Sequence, residues 1–352
     1  MKDYVELSSS AQNAYADLFE AALALSLSST VTNLNGSFGK KTIKGKAYWY
    51  FQYRGIDSKV EQVYVGVDNE KIRSLIEKYK AGVLKKGQTS SIQKLSGAAI
   101  ILGCEPMLPK HFRIIRRLSE YGFFKNGGIL VGTHAYMAMV NMLGISAQER
   151  TQTQDIDLPH SGKNISIAMP SNIKIALSDA ITSLNMGLLP ISTVEGKFGA
   201  SYLNPLDPAF RIDFLTSKNS ESDEPVYIEN LSIAMQPLKF MQFSMVDTLQ
   251  SVIFCNEGAV VVNIPKPDRF AIHKLIVSSE RKASEMAKIN KDVRQANTIL
   301  EYYMDFRPNE LLDTFNEAIS NGQGWKKRLD EGVTRLFKIN PELANFLMDA
   351  HQ

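Results

Sequence analysis

Two short stretches near the middle of the chain, Asp155-Ile-Asp-Leu158 and Phe210-Arg-Ile-Asp-Phe-Leu215, alternate charged residues with bulky apolar ones. On a helix these residues would scatter around the axis. On a strand, successive side chains point to opposite faces, so one face enters a core and the other stays polar. Asp155 and Asp157 then stand side by side while Ile156 and Leu158 anchor the far face, and Asp213 repeats the arrangement between Ile212 and Phe214. Like charges this close repel, and a divalent cation between them removes the repulsion. Hard carboxylate oxygens suit Mg²⁺, which takes one or two carboxylates and completes its shell with substrate phosphates; Mn²⁺ is the alternative. Taken alone, a D-x-D strand is more often a plain solvated edge or hairpin face, so the order of elements around it has to decide.

That order is informative. Gly128-Ile-Leu-Val131 reads as a short buried strand, Gly132–Thr133 as a turn, and Ala135 to Leu143 as a helix. The backbone N–H groups of such a turn and of the following helix N-terminus can bind phosphate oxygens. Gly132 permits close approach and Thr133 adds a hydroxyl. The interval to Asp155 leaves room for one helix and a loop, as a strand–turn–helix–strand unit requires. A third carboxylate from a neighbouring strand, Asp213, would complete a two-metal site in which one ion activates the attacking oxygen and the other holds a triphosphate.

The 352 residues, 44% hydrophobic and 22% charged, can bury a large core and suggest two or three domains. Residues 1–125 read as an N-terminal region with a helix over 11–27, aromatic strands over Ala47–Tyr53 and Val60–Val65 joined as a hairpin, and helices over Asp68–Lys80 and Lys110–Tyr121. Residues 126–265 form the core with its small mixed sheet of three strands, and 266–352 a helical domain in which Pro308 and Pro341 open new helices. No apolar run is long enough to cross a bilayer, and the first residues lack a continuous apolar segment, so a soluble cytoplasmic protein without a secretory leader is expected. Cys104 and Cys255 lack metal-ligand spacing and read as buried free thiols.

Strand, Gly-Thr turn, helix, D-x-D strand and a lone Asp on a third strand together resemble the DNA polymerase beta-like nucleotidyltransferase superfamily. More narrowly, GGILVGTHAYMAMVNMLGI (127–145) and TQDIDL (153–158) look like a bacterial branch of nucleotidyltransferase-fold proteins, with further similarity at YWYFQYRG (48–55), EYGFFKNGG (120–128) and PDRFAIHKL (267–275). The resemblance implies an α+β fold, a mixed sheet with flanking helices. It also implies Mg²⁺-dependent transfer of a nucleoside monophosphate from a nucleoside triphosphate, ATP among the candidates, with release of pyrophosphate. By that resemblance Gly132 and Thr133 match the phosphate-binding turn, Asp155 and Asp157 the paired metal ligands, and Asp213 the third carboxylate and general base. The turn departs from the commoner Gly-Gly or Gly-Ser. All three carboxylates are present. A catalytically silent nucleotide-binding or scaffolding module of the same fold is the alternative.

Lys274 lies one helical turn beyond Phe270, so its stem can run along that ring and carry the charge to a triphosphate; a structural ion pair is the other reading. Arg113, Arg116 and Arg117, at i, i+3 and i+4, could track an RNA backbone or merely solvate a helix, and Arg281, Lys282 and Lys291 could line a groove or decorate helices. Tyr48, Trp49, Tyr50, Phe51 and Tyr53 beside lysines could stack on bases, or pack as a hairpin core. The Gly36-Ser-Phe-Gly-Lys-Lys41 stretch lacks the P-loop spacing. The net charge of +3 leaves the acceptor open among RNA, with tRNA ends leading, a protein side chain and a small molecule.

Overall fold

A computed structural model describes residues 2–32, 36–43, 45–54, 60–70, 72–74, 76–77, 86–147, 153–161, 175–192, 198–218 and 221–349. It is an α+β protein in which a curled mixed sheet is flanked by helices and followed by a helical C-terminal region. The sheet is larger than the three strands read from the sequence. It contains β6 (Asp155–Pro159), β7 (Leu189–Ser192), β8 (Phe198–Asn204), β9 (Asp207–Ser217), β10 (Val226–Ile228) and β11 (Ile233–Leu238), in the order β10-β11-β9-β8-β7 with β6 also paired to β9. β9 is the hub, parallel to β6 and β11 and antiparallel to β8.

A separate hairpin, β12 (Leu249–Cys255) and β13 (Gly258–Ile264), is buried on both faces. By the period of two, Ile253, Cys255, Val262 and Ile264 enter the main core while Val252, Phe254 and Val261 enter a second one. The second core is built with α1 (Ser9–Thr32) and α2 (Lys86–Ile101), through Leu18 and Ile92 among others. This accounts for the continuous apolar run at 259–262, which an alternating, one-sided strand would not need. Cys104 and Cys255 are buried free thiols.

The strand expected at 128–131 is extended and buried but joins no ladder. The Ile129 and Val131 N–H groups donate to Pro159 and Asp157 carbonyls of β6, while the Leu130 N–H donates to Asn263 of β13. The segment therefore laces the sheet to the hairpin, which is why its backbone is satisfied without a strand partner of its own. It leads directly into α4 (Gly132–Met142), which opens three residues earlier than the apolar periodicity indicated. Before it, α3 (Pro109–Glu120) buries Phe112, Ile114, Ile115 and Leu118, the apolar side expected for this helix.

Five helices complete the body: α7 (Pro267–Glu280), α8 (Met286–Phe306), α9 (Pro308–Ser320), α10 (Gln323–Phe337) and α11 (Pro341–Asp349), with the five-residue α6 (Met241–Met245) and the short α5 (Leu177–Thr182) nearer the sheet. Pro267, Pro308 and Pro341 are the first residues of their helices, where the missing N–H has no intrahelical partner to lose. Fully buried Phe112, Phe123, Phe214, Phe254 and Phe270 each contribute roughly 1.5–3 kcal/mol of transfer free energy. Gly332 is required where α10 crosses α7, because a Cβ there would strike the Leu275 carbonyl.

The N-terminal region differs from expectation in two of its strands. β1 (Tyr4–Glu6) pairs antiparallel with β5 (Ile145–Ala147), a long-range contact of three residues each. The aromatic hairpin, β3 (Lys46–Arg54) with β4 (Val60–Val67), has a third strand in β2 (Gly36–Ile43), so the stretch with P-loop-like glycines is a strand. The helix read over 68–80 lies in part outside the described residues. Among the described residues no helix is long and apolar enough to cross a membrane.

Candidate functional site

β6 and β9 run parallel with Asp155 opposite Arg211 and Asp157 opposite Asp213. Ile156, Leu158, Ile212 and Phe214 are wholly buried on the far face, so the near face carries all three aspartates. Asp213 is buried, and Asp155 and Asp157 are half-buried. Ser201, across on β8, donates its hydroxyl to Asp213 Oδ1 at 2.5 Å.

Arg211 sits among these carboxylates. Its Nε is 2.9 Å from Asp213 Oδ2 and 3.7 Å from Asp155 Oδ1, yet it makes no aligned hydrogen bond, so the contact is one of charge. Asp157 is left outside this pairing. Burial, and then the neighbouring charges of Asp213 and Asp155, push its carboxyl up to about 6 against the opposing pull of Lys274 and Arg211. Among the described residues no three His, Cys, Asp or Glu side chains close on one metal-sized position. A hard ion bound through one or two carboxylates plus phosphate oxygens does not need three.

Gly132 is indispensable to this geometry. Its φ of +66° is in the left-handed region, and a Cβ there would collide with Asp157 Oδ2. The first turn of α4, preceded by Val131 with no side-chain cap, is thereby brought against the aspartate face, and its free N–H groups and dipole favour anionic groups there. Thr133 and His134 turn inward instead. The Thr133 hydroxyl is buried 3.4 Å from Gln295 Nε2 of α8. His134 Nε2 lies 2.9 Å from His111 Nδ1, and His111 stacks on Phe210. Burial drives His134 down to about 3 and His111 down to about 4, so both are neutral at pH 7.

The flank of the site is formed by α7 and α8. Lys274 lies over the Phe270 ring at 5.4 Å and binds Asp292 Oδ1 at 2.6 Å, while Arg281 Nε holds Asp292 Oδ2 at 2.7 Å. Burial pushes the Asp292 carboxyl upward, but the charges and hydrogen bonds of Lys274 and Arg281 outweigh it and leave it below its ordinary value. Lys274 is therefore ion-paired and still close enough to act on Asp157. Lys291, grouped by sequence with basic decoration, belongs here too. Burial and then Lys274 lower its ammonium, while Asp292, Asp155 and Asp157 pull it back up. Its only sequence signal is its place beside Asp292 on the polar side of α8.

The arginines of α3 are already matched: Arg113 meets the Glu257 carboxylate, and Arg116 and Arg117 both meet Glu120.

A mixed sheet, a left-handed Gly132 that opens a helix, and a face of three aspartates make up the site. Residues 110–320, more than half of the chain, match the nucleotidyltransferase family, and the chain belongs to it. No curated protein matches the chain. Among solved structures, an antigenic nucleotidyltransferase-like protein from Paracoccidioides brasiliensis is similar at 12% identity and a TM-score of 0.32, over 69% of this chain and 95% of that one.

Proposed function

We propose that the protein transfers a nucleoside monophosphate from a nucleoside triphosphate to an acceptor hydroxyl, with Asp155, Asp157 and Asp213 as the reacting face. The observation that carries this reading is the crowding of Asp157 against Gly132: three carboxylates share one face at a helix N-terminus, with Arg211 the cation ion-paired to them among the described residues. Such an arrangement costs stability, and the cost has a use when a cation and a polyphosphate complete it.

The acceptor oxygen attacks the α-phosphorus, the bond from that phosphorus to the bridging oxygen breaks, and pyrophosphate leaves. Asp213 takes the hydroxyl proton, held in place by the Ser201 hydroxyl. The first-turn N–H groups of α4 at Gly132 and Thr133 meet phosphate oxygens. Lys274 and Lys291 face the negative charge that grows on the departing pyrophosphate, and Asp292 keeps Lys274 in position. Asp155 and Asp157, with Asp213 beside them, would hold Mg²⁺, or Mn²⁺ in its place, which would supply positive charge to the reacting oxygens. Arg211 has to release Asp213 and Asp155 for that to happen, and its guanidinium is then free for a phosphate oxygen.

Arg211 is also the one observation that favours a silent binding module, since it partly neutralises the carboxylates without a cation. Release of pyrophosphate from each labelled triphosphate, over cellular RNA and over lysate protein, separates the two. Binding of triphosphate with no pyrophosphate above the Asp157→Ala background would reject transfer.

A further inference from the structure

The sheet β2–β3–β4 has two unlike faces. On one, Phe38 meets Phe51 at 5.0 Å, Phe51 is buried, and the Trp49 Nε1 donates to Asp68, which also binds Lys40 and Arg73. On the other, Tyr48 and Tyr50 of β3 both meet Tyr64 of β4, at 6.2 and 5.7 Å between ring centroids. Tyr64 is 53% exposed, and Tyr48 and Tyr50 are half-buried. Lys41 crosses this face from β2, its Nζ 5.0 Å above the Tyr50 ring and bound to Gln62 Oε1 at 2.5 Å. Core packing therefore accounts for Phe38, Phe51 and Trp49 but not for the three tyrosines. Among the described residues these strands pack on one another, and no extended interface joins them to the body.

Charge indicates the occupant. Residues 36–67 contain Lys40, Lys41, Lys44, Lys46, Arg54 and Lys59 against only Asp57 and Glu61, and on the tyrosine face Lys41 meets an amide rather than a carboxylate. Neighbouring aromatic rings on a partly exposed face, with Lys41 above them in a lysine-rich segment, provide the two components of single-strand recognition: stacking for bases and positive charge for phosphates. A protein partner for so basic a segment would have to be acidic, and nothing about three adjacent tyrosines requires that.

We infer that the Tyr48–Tyr50–Tyr64 face of this sheet binds single-stranded nucleic acid, the bases stacking on Tyr50 and Tyr64 and Lys41 swinging from Gln62 to a phosphate. That the bound strand is also the acceptor rests on the transferase reading; the binding itself does not.

The test is a fluorescence-anisotropy titration of the full chain with labelled 20-nucleotide oligouridylate and oligothymidylate, without triphosphate or Mg²⁺, from about 50 to about 200 mM salt. Preference for the ribose strand identifies RNA, and equal affinity identifies single strands in general; either supports the proposal. The Tyr50→Ala/Tyr64→Ala double variant is expected to bind roughly tenfold more weakly or worse, while Tyr50→Phe/Tyr64→Phe retains binding, which separates stacking from loss of the sheet. Lys41→Gln is expected to lower the salt slope by about 0.7. Failure of the parent to bind either strand at low salt overturns the proposal and assigns the face to an acidic protein partner; unchanged binding in the alanine double variant overturns it as well. Asp157→Ala is expected to bind the strand like the parent, so failure of transfer and failure of this surface are read separately.

Discussion

Two clusters of buried or half-buried carboxylates lie a few residues' reach apart and are built on opposite plans. Asp292 on α8 is fully buried and held by one cation on each oxygen, Lys274 and Arg281, so pairing outweighs burial and the carboxylate stays charged. On β6 and β9, three aspartates share one arginine, and Asp157 is pushed up to about 6 by burial and by its own neighbours. A matched cluster needs nothing more to be stable. An unmatched one is held by the surrounding fold, here by the parallel register of two strands and by the left-handed glycine beside it, and its missing partner is a statement about ligands.

Removing the unmatched charge should therefore separate function from stability. Asp157→Ala is expected to lower transfer by at least roughly 10³-fold, the scale of losing about 4 kcal/mol of transition-state stabilisation, while its Tm stays level or rises because repulsion is relieved. A falling Tm with residual transfer would mean Asp157 is structural. Asp292→Ala should behave in the opposite sense. Two cations lose their buried partner, and a loss of about 3 kcal/mol in urea unfolding is expected, at the low end for broken buried pairs because Arg281 is partly exposed.

Much of this contrast was legible in the sequence, and the reasons are local. The period of two at 155–158 and 210–215, and the proline starts of α7, α9 and α11, depend only on neighbouring residues. The parallel register that sets Asp157 against Asp213 is not local, and neither is the pairing of β1 with β5, three residues each and separated by most of the N-terminal half. β2 was missed because two glycines and several lysines dilute the strand signal, and the segment 128–131, read as a strand, joins no ladder because its N–H groups alternate between two partners. Gly132 was legible as a close-approach residue, but what approaches is Asp157. Arg211 was visible only as a neighbour of Asp213; that it reaches both Asp213 and Asp155 needs the sheet.

Elsewhere the interior keeps polar groups by a third means, neutrality. His111, His134 and His273 are depressed to about 4, 3 and 4, chiefly by burial, against 6.5 when free. Above pH 6.5 they are neutral in both states and the stability is fully present. As pH falls from 6.5 towards 4, the unfolded chain binds protons that the folded chain refuses, and each histidine costs about 1.4 kcal/mol per pH unit. Urea unfolding from pH 7.5 to 5 should show a plateau and then this decline, shallower in His273→Phe. A flat profile would mean that these rings accept protons in place.

Lysines 274 and 291 sharpen the same contrast, because the first is shared between the clusters and the second is not bound to Asp292 directly. Lys291→Gln is expected to raise the triphosphate KM by roughly tenfold with little change in Tm. Lys274→Gln should raise KM and also lower Tm, since it strips one oxygen of Asp292 of its cation. If both variants changed only Tm, α7 and α8 would be a buttress and not part of the binding face.

The smallest effect is expected where the charges are matched at the surface. From sequence alone, Arg113, Arg116 and Arg117 on α3 read as a stripe able to follow a phosphate backbone. In the folded chain Glu257 takes Arg113, and Glu120 takes both others. A phosphate would have to displace a carboxylate at each position, exchanging one ion pair for another and releasing few additional counterions. Replacing all three by alanine should therefore leave the salt slope of oligonucleotide binding almost unchanged, whereas three free contacts would lower it by about 2. The same titration that tests the tyrosine face checks this. A slope that falls by the full amount would show that Glu120 and Glu257 yield their arginines to RNA, and the matched-charge argument, which separates Asp292 from Asp157, would then not extend to the surface.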